Sequence, residues 1–208
     1  MNDSPEIPTK ATLRAEARTR LRSIDANALE RASAEICRRL LAHDTLSRAE
    51  RTLLFAPMRG EIDLREVGVE WLCRGVQVAI PHCDFATGTM LAALITDWDL
   101  DITLDERGVP GHRVLLSSTP TQPQIIVPQV VVTPGLAFDV SGGRLGRGAG
   151  FYDRFLARWR LESRSSVARV IGVSLDEQII DRVPIDAFDE LVDEIVTPTR
   201  VIVTAKRA

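Results

Sequence analysis

The sequence predicts an α/β domain with a mostly parallel central sheet. Short apolar runs alternate with segments whose apolar residues recur at helical spacing, and prolines or glycines separate most of them. Such alternation is typical of βαβ units, which build parallel sheets. The length of 208 residues favours one domain over the whole of 1–208. Residues 1–9, with two prolines and little apolar content, are predicted to be a loose leader.

Two amphipathic helices are predicted first. Over 10–22, leucine and alanine recur at every fourth position, which places them on one helical face. A second helix is predicted over 25–42, where similar spacing follows Asp25 and Asn27. Either residue could cap the N-terminus of that helix.

Strands and helices then alternate as far as residue 95. Pro57 and Pro81 close two apolar runs, whereas 96–124 carries acids, glycines, prolines and a Ser/Thr/Pro cluster that predict surface loops. The predicted elements are a strand over 52–56, a helix that follows 61–63 and ends at Trp71, and strands over 76–80 and 90–95.

The second half continues the alternation. Pro128 interrupts the apolar run 125–132, so the buried strand there is predicted to start after that proline. The remaining predicted elements are a helix over 150–161 and strands over 167–173, 193–197 and 201–204.

Composition narrows the function classes. The net charge of −3 gives no reason to expect nucleic acid as a partner. Cys37, Cys73 and Cys83 are an odd number without metal-type spacing, which favours a reducing compartment. The N-terminus lacks a signal-peptide pattern, and no apolar run approaches the roughly 18 residues of a membrane span. We therefore expect a cytoplasmic protein with no membrane partner.

The strongest motif is the glycine-rich stretch GGRLGRGAG at 142–150. It follows an apolar run and leads into a segment with helical spacing. Glycines let backbone N–H groups approach an anion, and a helix N-terminus adds partial positive charge. Arg144 and Arg147 can add charge-assisted hydrogen bonds. The spacing fits neither a P-loop nor a dinucleotide fingerprint. A flexible hairpin is the alternative, because glycine content alone would support it.

Several charged residues could accompany bound phosphate. Asp153, in the first helical turn after the loop, is a candidate Mg²⁺ ligand, although favourable interaction with the helix dipole is an alternative. Asp189 is a candidate second carboxylate or part of an ordinary acidic loop. Lys10 and Arg14 lie four apart on one helical face, which is more often a solvated face. Glu61 alone is unremarkable.

Together these segments resemble the 5-formyltetrahydrofolate cyclo-ligase family, also called methenyltetrahydrofolate synthetases. PGLAFD at 134–139 followed by GRLGRGAGFYDR at 143–154 is similar to the family signature and is highly specific. Weaker matches occur in the right order over most of the chain. They are Lys10-x-x-Leu13-Arg14, GEID at 60–63, IGV at 171–173, Gln178, Val183-Pro184, Asp189 and DEIVT at 193–197.

The resemblance implies a three-layer α/β/α ligase that uses ATP and Mg²⁺. In this family, ATP phosphorylates the formyl oxygen of 5-formyltetrahydrofolate, and ring closure then gives 5,10-methenyltetrahydrofolate, ADP and phosphate. The implied partners are ATP and a reduced folate, and we expect a monomer. Such chemistry depends on positioning and on neutralising negative charge, which the basic residues and the glycine loop can supply.

The resemblance also implies roles for individual residues. Catalysis is expected of Arg144, Arg147 and Tyr152, and Mg²⁺ binding of Asp153 and Asp189. ATP binding is expected of Lys10, Arg14, Arg144, Leu145, Gly146, Arg147, Gly148, Ala149, Gly150, Phe151 and Tyr152. Folate binding is expected of Glu61, Arg147, Gly148, Ala149, Gly150 and Phe151.

Two segments depart from the family pattern. The family usually has Gly-Ile-x-Glu-Pro where this chain reads GVPGH at 108–112, and MLA at 90–92 lacks the aromatic residue usual in the preceding strand. Two alternatives stay open: a diverged relative that uses ATP on another formyl or amide substrate, and a non-catalytic nucleotide-binding protein of the same fold. Retention of the charged residues expected at phosphate and Mg²⁺ disfavours the second.

Overall fold

A computed structural model of the chain describes residues 8–116, 122–163 and 168–205. The helices are α1 (Lys10–Arg22), α2 (Ala26–Leu41), α3 (Asp44–Ser47), α4 (Arg65–Cys73), α5 (Trp98–Asp101), α6 (Arg113–Leu116) and α7 (Phe151–Glu162), and a 3₁₀ helix lies at Asp176–Gln178. The strands are β1 (Arg51–Leu53), β2 (Gln77–Asp84), β3 (Thr89–Leu94), β4 (Ile102–Leu104), β5 (Pro110–His112), β6 (Val130–Pro134), β7 (Ala137–Phe138), β8 (Arg144–Leu145), β9 (Arg169–Val173), β10 (Glu194–Val196) and β11 (Val201–Val203).

Within these ranges, seven strands form one sheet in the order β11-β10-β9-β6-β1-β2-β3. The five inner strands run parallel to one another, whereas β3 and β11 pair antiparallel at the two edges. The pairs β4–β5 and β7–β8 stand apart from this sheet. The predicted α/β fold with a mostly parallel sheet is confirmed.

Alternate residues of β6 separate the two helical layers. Val130 and Val132 belong to a buried cluster with Ile36 of α2, whereas Val131 packs in another with Leu156 of α7. Successive side chains of a strand point to opposite faces, so α2 with α4 covers one face and α7 covers the other. Fully burying such an aliphatic side chain contributes about 1.5–3 kcal/mol. The three layers that the resemblance implied are present.

The clearest sequence signals locate their elements closely. The first predicted helix has the bounds of α1, and Asp25 caps α2 by accepting a hydrogen bond from the N–H of Ala28 at 3.0 Å. Residues 1–7 of the predicted leader lie outside the described residues, and so does Val167, the first residue of the strand predicted over 167–173. The rest of that prediction corresponds to β9. A membrane span would need a longer and more apolar helix than any in the described ranges.

The prediction that Pro81 ends a strand is wrong. β2 continues to Asp84 and pairs antiparallel with β3, where Pro81 lies opposite Ala92. On its other side, β2 pairs with β1 only as far as Ala79. The missing N–H of the proline therefore breaks no bond to β1, and the strand extends beyond the sheet as a hairpin.

The surface loops predicted for the region after residue 95 are also corrected. Up to residue 116 these residues form α5, β4, β5 and α6. Trp98 of α5 is buried against Gly68 of α4, where an added Cβ would lie 2.2 Å from the indole Cε3. Elements of three or four residues are too short to display a period, so the sequence pattern did not identify them. Residues 117–121, which hold most of the Ser/Thr/Pro cluster, lie outside the described residues.

A nearly buried pair fastens α3 to the sheet. Nε2 of His43, the residue before α3, lies 2.8 Å from Oε2 of Glu194 in β10. The hydrogen bond from His43 lowers the pKa of the Glu194 carboxyl, and it outweighs the opposite effect of burial. The carboxylate is therefore stabilised in the folded state.

We expect this pair to make stability depend on pH in the acidic range. Because the folded-state pKa of Glu194 is depressed, its contribution is present above the ordinary carboxyl pKa of about 4.3 and is lost as the pH falls through the folded value. Glu194→Gln should lower the free energy of unfolding near neutral pH by about 1–3 kcal/mol and remove this acid sensitivity. Urea unfolding over the acidic range measures both. Glu35→Gln, which removes a surface partner of Arg38, is the control, and equal effects of the two variants would contradict the prediction.

Candidate active site

A cavity of about 370 Å³ opens beyond the carboxyl ends of β1 and β6. Such a crevice is where open α/β sheets commonly bind ligands. Every predicted site residue lines it: Lys10, Arg14, Glu61, Arg144, Leu145, Gly146, Arg147, Gly148, Ala149, Gly150, Phe151, Tyr152, Asp153 and Asp189. The structure therefore brings them all together, while their individual roles stay predictions.

The glycine-rich stretch divides into two parts with different structures. Its first part is the turn of the β7–β8 hairpin, in which the Asp139 carboxylate accepts hydrogen bonds from the N–H groups of Ser141 and Gly143 at 2.8 and 3.1 Å. Gly142 has a φ of +90°, and an added Cβ would lie 2.5 Å from the Val192 carbonyl oxygen. The hairpin alternative thus describes 139–143, and Arg144 lies on a strand.

The second part, 146–150, lines the cavity. Among the described residues, no acceptor bonds the N–H groups of this segment. Gly148 and Gly150 have φ values of +114° and +68°, and Gly150 directly precedes α7. Free N–H groups beside a helix N-terminus are typical of anion sites. This part has the properties that the sequence predicted for phosphate binding.

Arg144 and Asp153 form a pair inside the cavity. The Arg144 side chain is only 4% exposed, and its Nη2 donates to Oδ1 of Asp153 at 2.8 Å. The guanidinium carbon also lies 5.3 Å from the centre of the Tyr152 ring. Nε of Arg144 and the Tyr152 hydroxyl are buried without a hydrogen-bond partner among the described residues. Since buried polar groups normally have partners, both are suited to meet a ligand.

Burial raises the pKa of Tyr152 well above its ordinary value, an effect that exceeds the opposing influence of Arg144. The hydroxyl is therefore neutral near physiological pH and can donate a hydrogen bond. Burial likewise raises the pKa of Cys83, on another wall of the cavity, to about 11. A protonated thiol is a poor nucleophile, so the geometry gives no support to covalent catalysis by Cys83.

Lys10 of α1 holds the acidic loop that precedes β10. Its Nζ lies 2.7 Å from Oδ2 of Asp186 and also contacts Oδ2 of Asp189. Burial acts to lower the pKa of Lys10, but the hydrogen bonds and charges of the two carboxylates outweigh it and raise the value. Lys10 is thus a fixed cation whose charge is shared with the second predicted metal ligand.

Glu61 and Arg147 form a third pair of opposite charge. Both Nε and Nη2 of Arg147 donate to Oε1 of Glu61, at 2.9 and 2.7 Å. The other oxygen of Glu61 accepts the N–H of Met58 at 2.9 Å. Arg14 of α1 reaches the same loop by donating from Nε to the carbonyl oxygen of Gly146 at 3.0 Å. The glycine loop is thereby held by α1 on one side and by Glu61 on another.

The two predicted metal ligands suit Mg²⁺ by their chemistry. Asp153 and Asp189 supply carboxylate oxygens to one cavity, beside the N–H groups expected to hold phosphate. Within the described ranges, no group of three or more His, Cys, Asp or Glu side chains is placed to hold a metal ion. Mg²⁺ is usually bound by one or two carboxylates plus substrate phosphates, so two protein ligands are compatible with an ion that arrives with a nucleotide.

Comparison with known proteins identifies the family. Residues 6–198 match the model of the 5-formyltetrahydrofolate cyclo-ligase family. This chain belongs to that family. Curated cyclo-ligases are similar along most of their length: one from Mus musculus is 27% identical over 89% of this chain and 92% of its own. One from Escherichia coli K12 is 27% identical over 88% and 97%.

Solved structures of methenyltetrahydrofolate synthetases share the fold of this cyclo-ligase family member. The protein from Aquifex aeolicus superposes with a TM-score of 0.75 at 23% identity, covering 96% of this chain and 94% of its own. The protein from Mycoplasma pneumoniae gives a TM-score of 0.67 at 17% identity, with coverage of 92% and 99%. The predicted family and its classification as a ligase are confirmed, and the structural likeness supports the fold.

The cyclo-ligase cavity also contains residues that sequence reasoning missed. Phe55 lies two residues beyond the end of β1, and its position near the carboxyl end of the strand predicted over 52–56 was a usable signal. Phe85 lies on the β2–β3 turn and packs edge-on against Phe151, with 4.9 Å between the ring centres. No local sequence pattern predicts this contact. Val109 and Pro110 line the cavity as well. The segment GVPGH at 108–112, which departs from the family pattern, therefore contributes to the cavity wall.

Proposed function

We propose that this protein converts 5-formyltetrahydrofolate to 5,10-methenyltetrahydrofolate, using ATP with Mg²⁺ and releasing ADP and phosphate. The observation that carries the proposal is that one cavity collects the N–H groups of 146–150, the cations Lys10 and Arg144, and the carboxylates Asp153 and Asp189. Phosphoryl transfer requires such parts because it depends on positioning and charge neutralisation. Membership of the cyclo-ligase family, and the names of the mouse and E. coli relatives, support the choice of substrate.

The proposed chemistry has two steps. The formyl oxygen first attacks the terminal phosphorus of ATP, and ADP leaves. The nitrogen at position 10 of the folate then attacks the carbon that bears the phosphorylated oxygen, which closes the ring, and this nitrogen loses its proton. The bond between that carbon and the phosphate oxygen then breaks, which releases phosphate and leaves the methenyl bridge. Neither step needs a covalent bond to the protein.

Four basic side chains would bind and orient the phosphates. Arg144 and Lys10 pair with the carboxylates of Asp153 and Asp189. Arg14 contacts the glycine loop from α1, and Arg147 is itself part of that loop. The backbone N–H groups would hold phosphate oxygens without needing to reorient, which lowers the cost of stabilising charge in the transition state. The Tyr152 hydroxyl, neutral and buried, would donate to an oxygen at the junction of nucleotide and folate.

Asp153 and Asp189 would hold Mg²⁺ together with phosphate oxygens of ATP; when bound, the ion supplies positive charge that neutralises those phosphates. Both carboxylates have a cationic partner, Arg144 and Lys10 respectively. In the proposed complex the two carboxylates bind the ion, and Arg144 and Lys10 bind phosphate oxygens instead. Glu61 would accept hydrogen bonds from donor groups on the folate.

We also propose that the chain works as one domain and as a cytoplasmic monomer. All the residues expected to act on ATP, Mg²⁺ and the folate lie in one cavity of a single chain, which is compatible with a monomer. The net charge of −3 supports the absence of a nucleic-acid partner. The unpaired cysteines Cys37, Cys73 and Cys83 suit a reducing compartment.

Absorbance near the methenyl-folate band tests the proposal directly. Mixing the purified protein with 5-formyltetrahydrofolate, ATP and Mg²⁺ should raise this absorbance, and omitting either ATP or the metal should abolish the rise. No rise while Mg-ATP still binds would favour the relative with another formyl or amide substrate. Failure to bind either ligand would contradict the proposal and favour a non-catalytic protein.

A further inference from the structure

Arg154, in the first turn of α7, is a cation to which none of the roles above is assigned. Its Nε donates to the carbonyl oxygen of Gly88 at 2.9 Å, and its Nη2 donates to the carbonyl oxygen of Ala149 at 3.0 Å. Its guanidinium carbon also lies 5.4 Å from the centre of the Phe151 ring. Both hydrogen bonds are to main-chain oxygens, so this side chain joins two backbone segments.

The bond to Ala149 fixes the orientation of one peptide in the glycine loop. In a planar trans peptide, the carbonyl oxygen and the following N–H point in opposite directions. Because Arg154 holds the oxygen of Ala149, the N–H of Gly150 points away from the guanidinium. Gly150 also leaves room for this arrangement, since an added Cβ would lie 2.9 Å from Nη1 of Arg154. One donor of the cavity is thereby oriented before a ligand arrives.

The bond to Gly88 reaches the β2–β3 turn, which borders the cavity through Phe85. Gly88 lies in the turn between β2 and β3, and Asp84 stiffens this turn by accepting the N–H of Ala86 at 2.8 Å and the hydroxyl of Thr87 at 2.7 Å. The same turn carries Phe85, which lines the cavity. Fixing the oxygen of Gly88 therefore fixes the position of Phe85 relative to α7.

We propose that Arg154 is a positioning residue, which joins the β2–β3 turn to the glycine loop and so fixes two adjacent parts of the cavity wall relative to each other. The inference rests on the proposed function, because the glycine loop is expected to bind both ATP and the folate. Arg154 acts through Ala149 and Gly88 and contacts neither substrate. A guanidinium suits this task because its planar fork presents several donors in fixed directions.

Arg154→Ala should raise the KM values for ATP and for the folate together by about tenfold, because preorganisation of both parts of the wall is lost. Arg154→Lys should recover only part of this loss, since a single ammonium group cannot reproduce the fork. The matched control is Arg158→Ala. Arg158 lies one turn later on α7 and donates to the carbonyl oxygen of Met90 at 3.2 Å, so it also joins α7 to the β2–β3 hairpin. Neither arginine lines the cavity, but Ala149, the partner of Arg154, does so, whereas Met90, the partner of Arg158, does not.

Steady-state kinetics, thermal melting and calorimetric binding of ATP with Mg²⁺ would be measured on the full chain of all three variants and wild type. We expect Arg158→Ala to lower the melting temperature as much as Arg154→Ala does while leaving both KM values at the wild-type level. If Arg154→Ala and Arg158→Ala change the KM values equally, or if neither changes them, the positioning role is overturned. If wild type itself forms no methenyl product, the proposed function fails; the calorimetric affinities of the two variants then decide the inference separately.

Discussion

Asp153→Asn is expected to reduce ATP- and Mg²⁺-dependent formation of the methenyl product by at least about a hundredfold, the usual scale for losing an electrostatic group of a reaction site. The amide keeps the size of the carboxylate but lacks the charge that would bind the ion. It also leaves Arg144, whose side chain is only 4% exposed, without its counter-charge. The amide oxygen can still accept the bond from Nη2 of Arg144, so we expect the fold to persist.

Calorimetric titration of ATP at increasing Mg²⁺ separates metal binding from turnover in this variant. Wild type should bind ATP more tightly as Mg²⁺ rises, whereas Asp153→Asn should lose most of that dependence. Glu162→Gln is the control, because Glu162 lies at the far end of the same helix and pairs with Arg158 at 3.7 Å on the surface. A melting curve establishes that each variant is folded. Wild-type Mg²⁺ dependence in Asp153→Asn would remove Asp153 from the metal site.

The parts of the fold that the sequence predicted are those with long, repeated signals. α1 and α2 each span more than three turns, and their apolar spacing and capping residues mark both location and type. The parallel pairing of the inner strands also followed from the alternation of strands with helices. Only three residues separate the strands predicted over 193–197 and 201–204, and that pair is antiparallel. The elements between 96 and 116 have only three or four residues each, and their stability comes from tertiary contacts such as that of Trp98 with Gly68.

The sequence predicted which residues share one cavity, but not how they are arranged inside it. Glycine spacing and charge type led to the prediction that 146–150 and Asp153 lie beside phosphate, because those residues carry chemical meaning in sequence order. Sequence order could not reveal that the cations pair with the carboxylates. Asp189 meets Lys10 across 179 positions, and Glu61 meets Arg147 across 86. Arg154 was missed for the same reason, since its partner Gly88 lies 66 positions away.

These pairings also bear on how the cavity stays folded without substrate. The four basic and three acidic residues that line it nearly balance. A cluster of unpaired cations around an empty phosphate site would repel one another and destabilise the compact state. Pairing each carboxylate with a cation avoids that cost, and phosphate binding then exchanges one set of ionic contacts for another. Removing a single carboxylate should therefore disturb ligand affinity as well as local packing.

Glu61→Gln is expected to raise the KM for the folate by about ten- to thirtyfold while changing the turnover number only slightly, because it removes a binding contact remote from phosphoryl transfer. Glu61 uses both carboxylate oxygens, one for Arg147 and one for the N–H of Met58. Glutamine has a single acceptor oxygen, so it cannot keep both bonds. The variant could consequently act on the folate directly or through displacement of Arg147.

Comparison with Arg147→Gln and with the double variant separates these routes. If Glu61 contacts the folate itself, Glu61→Gln leaves the KM for ATP unchanged, and it raises the folate KM further when it is made in the Arg147→Gln background, although the two effects need not add because the side chains are in contact. We expect this result. If Glu61 acts only by holding Arg147, the KM for ATP rises too, and the double variant resembles Arg147→Gln. Glu70→Gln, which removes a surface partner of Arg74 on α4, should leave both KM values unchanged. An unchanged folate KM in Glu61→Gln would contradict both routes and take Glu61 out of the folate site.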